Sequence, residues 1–262
     1  MSQTADFDAP EAKPFLLEGS QTGLLWLHGF TSTPQSVRDV GEQVHDLTGA
    51  TVYCPLLAGH GETPDALAAT DHQDWVRSAE TALEHLETRC SRVLIGGLSL
   101  GATLALNLAA RLPDRISGLV TINGSTGLYR PEVVAPLYDT TSAEHVPGIG
   151  SDIARAGARE ICYDVIPRST LKDRFILTNA TGALLPLLQQ PILIMQSRTD
   201  HVVDPKNATR IACTVASNDV RLCWLTRSWH VATLDHDQDL IASHVADFVR
   251  SLGNHHDASA DR

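Results

Sequence analysis

Residues 92–113 read RVLIGGLSLGATLALNLAARLP. The stretch begins with an apolar run that stops at a pair of glycines, a pattern typical of a buried parallel strand. It continues with an Ala- and Leu-rich run in which Leu104 and Leu108 recur at helical spacing before Pro113, and this run predicts a helix. A strand followed at once by a helix is the repeating unit of a parallel sheet.

The same alternation of strand and helix runs through most of the chain. Thr70 is predicted to cap one of the helices, with Gln73 as its capping-box partner. The alternation predicts an α/β domain with a mostly parallel central sheet, helices on both faces and ligands at the carboxyl ends of the strands. The predicted strands are residues 24–27, 51–53, 92–95, 118–122, 191–195 and 220–225, with an edge at 15–17.

One segment, from about residue 124 to residue 174, interrupts the alternation. Prolines divide it into short pieces, and it is too apolar to remain in water as a loop, so it is predicted to form a small cap inserted over the sheet. The domain is expected to span residues 14–252, with a disordered N-terminal segment at 1–13 and a disordered tail at 253–262.

Composition and charge narrow the class of protein. The formal net charge is −11, and the chain has no run of Lys and Arg, which argues against nucleic acid as a partner. The first residues lack the basic and apolar regions of a signal peptide, and no apolar stretch is long enough for a membrane span, so a cytoplasmic protein without stable membrane insertion is expected. The five cysteines lack metal-site spacing and are expected to be free, mostly buried thiols, with no metal bound.

The turn after the strand at 92–95 carries the clearest chemical motif. Gly97-Leu98-Ser99-Leu100-Gly101 matches G-x-S-x-G, and it lies between a strand and a helix, as the motif requires. The glycines permit a sharp turn that exposes the serine hydroxyl above the sheet, with the helix N-terminus directed at developing negative charge. Ser99 is therefore predicted to be a catalytic nucleophile.

A serine nucleophile needs a histidine to take its proton and a carboxylate to orient that histidine. Asp200 follows the strand at 191–195, and His230 follows the strand at 220–225, so that the chain order is Ser, Asp, His. Asp204 is the alternative acid, but it lies beside Pro205 and is expected to cap a helix. The alternative histidines are His60, His201, His236, His255 and His256.

Acyl transfer also needs two donors for the oxyanion. The backbone N–H of Leu100, directly after the nucleophile, is predicted to be one, and the N–H of Phe30 in His28-Gly29-Phe30 is predicted to be the other. His60 is expected to have a structural role in its loop. The residues predicted to bind substrate are Phe30, Leu100, Trp229, Leu128 and Tyr129.

These motifs together resemble those of the small bacterial carboxylesterase and monoacylglycerol lipase family of the α/β-hydrolase superfamily. The resemblance covers about residues 14–252 and implies the α/β-hydrolase fold with a small cap. It implies hydrolysis of carboxylic esters with short to medium acyl chains, including monoglycerides, through an acyl-enzyme and without a cofactor. The motifs that carry it are His28-Gly29-Phe30, Gly59-His60-Gly61, Gly97-Leu98-Ser99-Leu100-Gly101, Asp200 and Ser228-Trp229-His230.

The sequence predicts a serine carboxylic-ester hydrolase that acts on a small-molecule ester through acyl-Ser99. The same triad could also serve a thioesterase, a lactonase, an acyltransferase or a C–C bond hydrolase, because the pocket decides the substrate. A non-catalytic protein that binds small molecules on the same scaffold is the alternative from a different class.

Overall fold

The computed structural model describes residues 5–134, 138 and 143–257. The strands are β1 Phe15–Leu17, β2 Ser20–Leu27, β3 Ala50–Cys54, β4 Arg92–Leu98, β5 Gly118–Ile122, β6 His145–Pro147, β7 Val165–Pro167, β8 Ile192–Ser197 and β9 Val220–Leu225. Seven of them form the main sheet, in the order β1-β3-β2-β4-β5-β8-β9. In this sheet the edge strand β1 is antiparallel to β3, and the other strand pairs are parallel.

Helices cover both faces of the sheet. One hydrophobic core lies between the sheet and α3, α4, α6 and α7, and a second lies between the sheet and α1 and α8. The predicted α/β class and the helices on both faces are thus confirmed. The helices are α1 Gln35–Thr48, α2 Pro64–Ala68, α3 His72–Glu87, α4 Leu100–Arg111, α5 Pro131–Val134, α6 Arg168–Leu184, α7 Lys206–Thr214 and α8 Gln238–Asp257.

The N-terminal cap of α3 differs from the prediction by one residue. Asp71 is the N-cap, and its carboxylate accepts hydrogen bonds from the backbone N–H groups of Gln73 and Asp74. The Asp74 carboxylate accepts the N–H of Asp71 in return, which completes a capping box. The hydroxyl of Thr70 donates instead to the carbonyl of Leu67, because the chain is already turning at the end of α2.

The described part of the segment from residue 124 to 174 has only short elements up to Pro167, and α6 begins at Arg168 and runs past the expected end of the segment. Strands β6 and β7 form an antiparallel pair apart from the main sheet, and Tyr163 ties the segment to two loops of the body. Its N–H donates to the carbonyl of Thr31, and its hydroxyl donates to the carbonyl of Gly59 at 2.9 Å while accepting the N–H of Glu62. Residues 135–137 and 139–142 of the expected cap lie outside the described residues.

Both ends of the described chain differ from the expected disorder. Residues 5–13 lie against the body: Phe7 contacts the ring of Tyr163 edge-on at 5.0 Å, and the guanidinium of Arg38 donates to three carbonyls of residues 10–13. At the other end, α8 continues to Asp257, past the expected end of the domain at residue 252. Residues 1–4 and 258–262 lie outside the described residues.

Two further expectations concern thiols and membranes. All five cysteines are free, and three of them, Cys54, Cys90 and Cys162, are buried. Cys213 is exposed, and Cys223 is partly exposed. Within the described part of the chain, no helix combines the length and apolar character needed to span a bilayer.

Candidate active site

Ser99 lies in the single-residue turn between β4 and α4. Its backbone has φ 55° and ψ −111°, a strained conformation for a residue with a side chain. The turn also brings the first residues of α4 against β2: a Cβ at either Gly97 or Gly101 would stand 2.2 Å from the carbonyl oxygen of Leu27. Both glycines of the motif are therefore required by the close approach of two backbones.

Asp200 and His230 form a buried pair at the carboxyl end of the sheet. The Nδ1 atom of His230 lies 2.9 Å from Oδ2 of Asp200, and the side chains are 6% and 0% exposed, respectively. Burial of the Asp200 carboxyl acts to raise its pKa, but the charge and hydrogen bond of His230 and two backbone N–H groups outweigh it, so the pKa lies below its usual value. An ionised Asp200 accepts the Nδ1 proton and leaves Nε2 of His230 as a base.

The alternative acid and histidine residues have other partners. The carboxylate of Asp204 accepts the N–H of Lys206 at 2.9 Å, at the start of α7. His201 is exposed, and its Nδ1 lies 2.8 Å from Oδ1 of Asp152. Of the two carboxylates in the loop after β8, the structure thus brings Asp200 to His230.

The loop after β2 is fixed by His28. Nε2 of His28 accepts the N–H of Leu57 at 3.1 Å, so Nδ1 carries the proton and donates it to the carbonyl of Gly29 at 2.9 Å. In a trans peptide the N–H of Phe30 points away from that carbonyl. Gly29 itself lies against the nucleophile, since a Cβ there would be 3.8 Å from Cβ of Ser99. His28 thereby orients the Gly29–Phe30 peptide beside Ser99.

Leu100, the other oxyanion donor predicted from the sequence, is the first residue of α4. The first N–H groups of a helix have no intrahelical partner, so its N–H is free to bind an anion near Ser99. The side chains of Leu100 and Phe30 are buried.

Comparison with known proteins identifies the family. Residues 24–245 match the family described as the Alpha/beta hydrolase family. The chain belongs to this family. A thermostable monoacylglycerol lipase of Bacillus sp. (strain H-257) is 37% identical over 240 residues, which cover 90% of this chain and 94% of that protein. A carboxylesterase of Bacillus subtilis (strain 168) is 28% identical over 243 residues, 92% of this chain and 97% of that protein.

A solved structure agrees with this family. It belongs to a study of two metagenome-derived lipolytic enzymes, superimposes with a TM-score of 0.89 at 38% identity, and covers 95% of this chain and 100% of its own. The predicted family resemblance, the α/β-hydrolase fold and the enzyme class, an esterase, are confirmed.

The α/β-hydrolase core adds a residue to the site that the sequence analysis missed. Asn123 follows β5 with φ 50°; its Nδ2 donates to the carbonyl of His230 at 2.6 Å, and its Oδ1 accepts the N–H of Ser197 at 2.7 Å. It therefore connects the ends of β5 and β8 to the histidine loop. Asn123 could have been predicted as a site residue, because it is a polar residue directly after a buried strand, at the carboxyl end of the sheet.

Two further missed residues connect the segment at 124–174 to the histidine. The carboxylate of Asp152 accepts the backbone N–H of His230 at 3.0 Å, and its carbonyl accepts the N–H of Val231. The carboxylate of Asp235 accepts the N–H groups of Trp229 and Ala154, and so joins the two loops. Nothing local in the sequence indicates these contacts, because the partners are distant along the chain.

Replacing Asp152 with asparagine is expected to lower kcat by on the order of tenfold, with KM nearly unchanged. The carboxylate is a charge-assisted acceptor for the N–H of His230, and such bonds contribute about 1.5–3 kcal/mol. Steady-state kinetics on a soluble ester measures the split. Asp164→Asn is the control, because Asp164 is an exposed acid of the same segment. An equal loss in both variants would contradict the positioning role of Asp152.

His60 is buried in an aromatic cluster next to the loop after β2. Its ring lies 5.2 Å from that of His28 and 6.0 Å from that of Phe30, and its Nδ1 lies 2.9 Å from the carbonyl of Ala58. Burial lowers the pKa of His28 to about 3 and that of His60 to about 4. Both rings are therefore neutral at pH 7.

These two histidines make the stability of the fold depend on pH. Between pH 6.5 and about 4 these histidines are protonated in the unfolded chain but stay neutral in the folded protein. The free energy of unfolding therefore falls as pH falls, by up to about 1.4 kcal/mol per pH unit for each histidine. His60→Gln is expected to make the free energy of unfolding depend less steeply on pH, by the contribution of one proton. Urea unfolding at a series of pH values measures this slope. Exposed His145, changed in the same way, is the control. An unchanged slope in His60→Gln would contradict the assignment.

Two more titratable side chains lie close to the site, Glu160 and Arg174. Glu160 is partly exposed. Burial raises its pKa, opposed by a hydrogen bond with the hydroxyl of Ser32 and by the charge of His230. Arg174, from α6, lies beside Phe30. Neither residue was among the site residues predicted from the sequence.

The remaining residues predicted to bind substrate lie in two places. Trp229 is 37% exposed, and its ring packs edge-on against His201 at 5.0 Å. Leu128 and Tyr129 line a cavity that also includes Arg174. Within the ranges that the structure describes, no group of three His, Cys, Asp or Glu side chains could hold a metal ion.

Proposed function

We propose that this α/β hydrolase is a serine carboxylesterase that works through an acyl-Ser99 intermediate. The observation that carries the proposal is the buried pair of Asp200 and His230, 2.9 Å apart, at the same edge of the sheet as Ser99. A strained, glycine-flanked serine near such a pair is the arrangement that activates a hydroxyl for attack on a carbonyl.

The proposed reaction has two halves. Oγ of Ser99 attacks the ester carbonyl carbon while Nε2 of His230 takes its proton, and the N–H groups of Phe30 and Leu100 bind the resulting oxyanion. The intermediate collapses, the C–O bond to the alcohol breaks, and His230 gives its proton to the departing oxygen. Water then attacks the acyl-Ser99 carbonyl by the same route and releases the acid.

The substrate class proposed is carboxylic esters with short to medium acyl chains. The relatives named a monoacylglycerol lipase and a carboxylesterase support this class. The segment at 124–174 is proposed to act as the cap that shapes the pocket, which is supported by the contacts of Asp152 with His230 and of Tyr163 with the loop after β3. A small-molecule ester is therefore the proposed partner.

Hydrolysis of p-nitrophenyl esters from acetate to palmitate, beside monoacylglycerols and a matched thioester, tests this function. The expected result is an optimum at short to medium oxygen esters. Turnover confined to the thioester, or no turnover of any ester, would contradict the proposal. Each substrate is measured without enzyme as well, because the thioester and the shortest esters hydrolyse spontaneously.

A further inference from the structure

Arg174 is a buried cation next to the proposed oxyanion loop. The residue is only 8% exposed, and its guanidinium carbon lies 5.9 Å from the ring centres of both Phe30 and Phe175. It is also near enough to Asp200 for the two charges to interact. Arg174 thus lies between the loop after β2 and the loop after β8, which both border the nucleophile.

The guanidinium has no hydrogen-bond acceptor within the described ranges, 5–134, 138 and 143–257, and forms no ion pair there. Burial lowers its pKa to about 10, against the charge of Asp200, so it keeps its charge at pH 7. Its nitrogen atoms are not wholly buried, so a ligand that reaches them would supply the acceptors that the described residues do not. Arg130 nearby is different, because it donates to the carbonyl of His201.

A cavity of about 40 Å³ gives a ligand access to Arg174. Such a volume holds a group of a few atoms, such as a carboxylate. The apolar walls include Leu128 and Tyr129. The acid in the wall, Asp204, is already bound by the N–H of Lys206 and has that residue's ammonium 4.0 Å away. Arg174 is therefore a cation in the cavity wall that has no acceptor among the described residues.

We propose that Arg174 binds a carboxylate carried by the acyl part of the substrate, so that half-esters of short dicarboxylic acids are preferred. The inference rests on the proposed esterase function and deepens it. Arginine suits this role because its planar N–H pairs match a carboxylate in a bidentate geometry. The reaction itself is unchanged: ester and water give the alcohol and the dicarboxylic acid.

The position of Arg174 assigns the carboxylate to the acyl side. The alcohol must leave beside His230, which protonates it, whereas Arg174 lies beside Phe30, whose backbone N–H is proposed to bind the oxyanion. Leu177, one turn beyond Arg174 on α6, packs into the core under α3, α4, α6 and α7, so Arg174 approaches the site from that face of the sheet.

The test compares monoethyl succinate, glutarate and adipate with neutral ethyl esters in a pH-stat. For glutarate the neutral match is ethyl 5-methylhexanoate, in which an isopropyl group replaces the carboxylate. Ethyl esters are used because the carboxylate of an aryl half-ester attacks its own carbonyl without enzyme. An ester with the carboxylate in the alcohol, 3-(butanoyloxy)propanoate, tests the assigned side. The quantity compared is the ratio of kcat/KM for each anionic ester to that for its neutral match.

The expected wild-type ratio for the best half-ester is on the order of ten or more, and Arg174→Leu should lower it at least about tenfold while neutral esters are still hydrolysed. Lys172→Leu, which removes an exposed cation from the same helix, should keep the ratio. Arg174→Lys retains the charge and should keep part of the preference, and it serves as the second variant if Arg174→Leu does not fold.

The melting temperature separates binding from a structural role. Arg174→Leu should melt at about the same temperature, because the guanidinium forms no hydrogen bond or ion pair with the described residues and leucine can fill the apolar contacts with Phe30 and Phe175. The inference would be overturned by a wild-type ratio of one or less for all three half-esters, or by an unchanged ratio in Arg174→Leu. It would also be overturned by a preference for the ester with the carboxylate in its alcohol, or by an equal loss of activity on all substrates together with a lower Tm. Neutral-ester turnover that disappears in Ser99→Ala tests the esterase function separately.

Discussion

Ser99→Ala is expected to lower kcat for ester hydrolysis by on the order of a million-fold. The variant keeps the oxyanion donors and the pair of Asp200 and His230 but lacks the atom that forms the acyl-enzyme. The fold should be unaffected, because alanine keeps the β-carbon that already occupies this turn. Kinetics on p-nitrophenyl butyrate and the melting temperature measure the two effects.

The control for Ser99→Ala is Ser117→Ala, an exposed serine directly before β5, at the opposite edge of the sheet. It should retain full activity. More than about one-hundredth of the wild-type rate in Ser99→Ala, in a preparation free of wild-type enzyme, would mean that another group attacks the ester.

Asp200→Asn is expected to lower kcat by on the order of ten-thousand-fold. An asparagine amide at this position would donate to Nδ1 of His230, so the ring proton would move to Nε2 and the base would be lost. Asparagine is nearly the same size as aspartate, and its Oδ1 can still accept the backbone N–H groups of Val202 and Val203 that Oδ1 of Asp200 accepts. Activity should therefore fall far more than stability.

The matched control for Asp200→Asn is Asp219→Asn. Asp219 lies directly before β9, at the opposite end of the strands, and its carboxylate pairs with Arg221. This variant should keep its activity to within about twofold. A loss of less than tenfold in Asp200→Asn would show that His230 is oriented by something other than this carboxylate.

The sequence could predict the sheet and the triad because their signals are local. The run at residues 92–95, the glycines around Ser99 and the polar residues that follow β8 and β9 can each be recognised within a few positions. The sheet then brings these loops to one edge, since the carboxyl ends of parallel strands lie together. The structure accordingly brings Asp200 and His230 together, and their catalytic roles stay predictions.

The residues that the sequence did not reveal act across long separations. Asp152 binds the backbone of His230, 78 positions further along the chain, and Arg38 binds the carbonyls that order residues 10–13, at least 25 positions before it. Arg174 looks in the sequence like an ordinary helix-surface residue, because two charged residues, Lys172 and Asp173, directly precede it. Its burial depends on how α6 packs against Phe30, which no local pattern encodes.

Catalysis by Ser99 can be tested directly by the mass of the intact protein after incubation with a p-nitrophenyl alkylphosphonate, followed by peptide mapping. The reagent places a phosphorus centre where the ester carbonyl would lie and forms a stable adduct with an activated serine. One phosphonyl group per chain is expected, located on Ser99, with no adduct in Ser99→Ala. An adduct on another residue such as exposed Cys213, or ester hydrolysis that continues without any adduct, would contradict catalysis by Ser99.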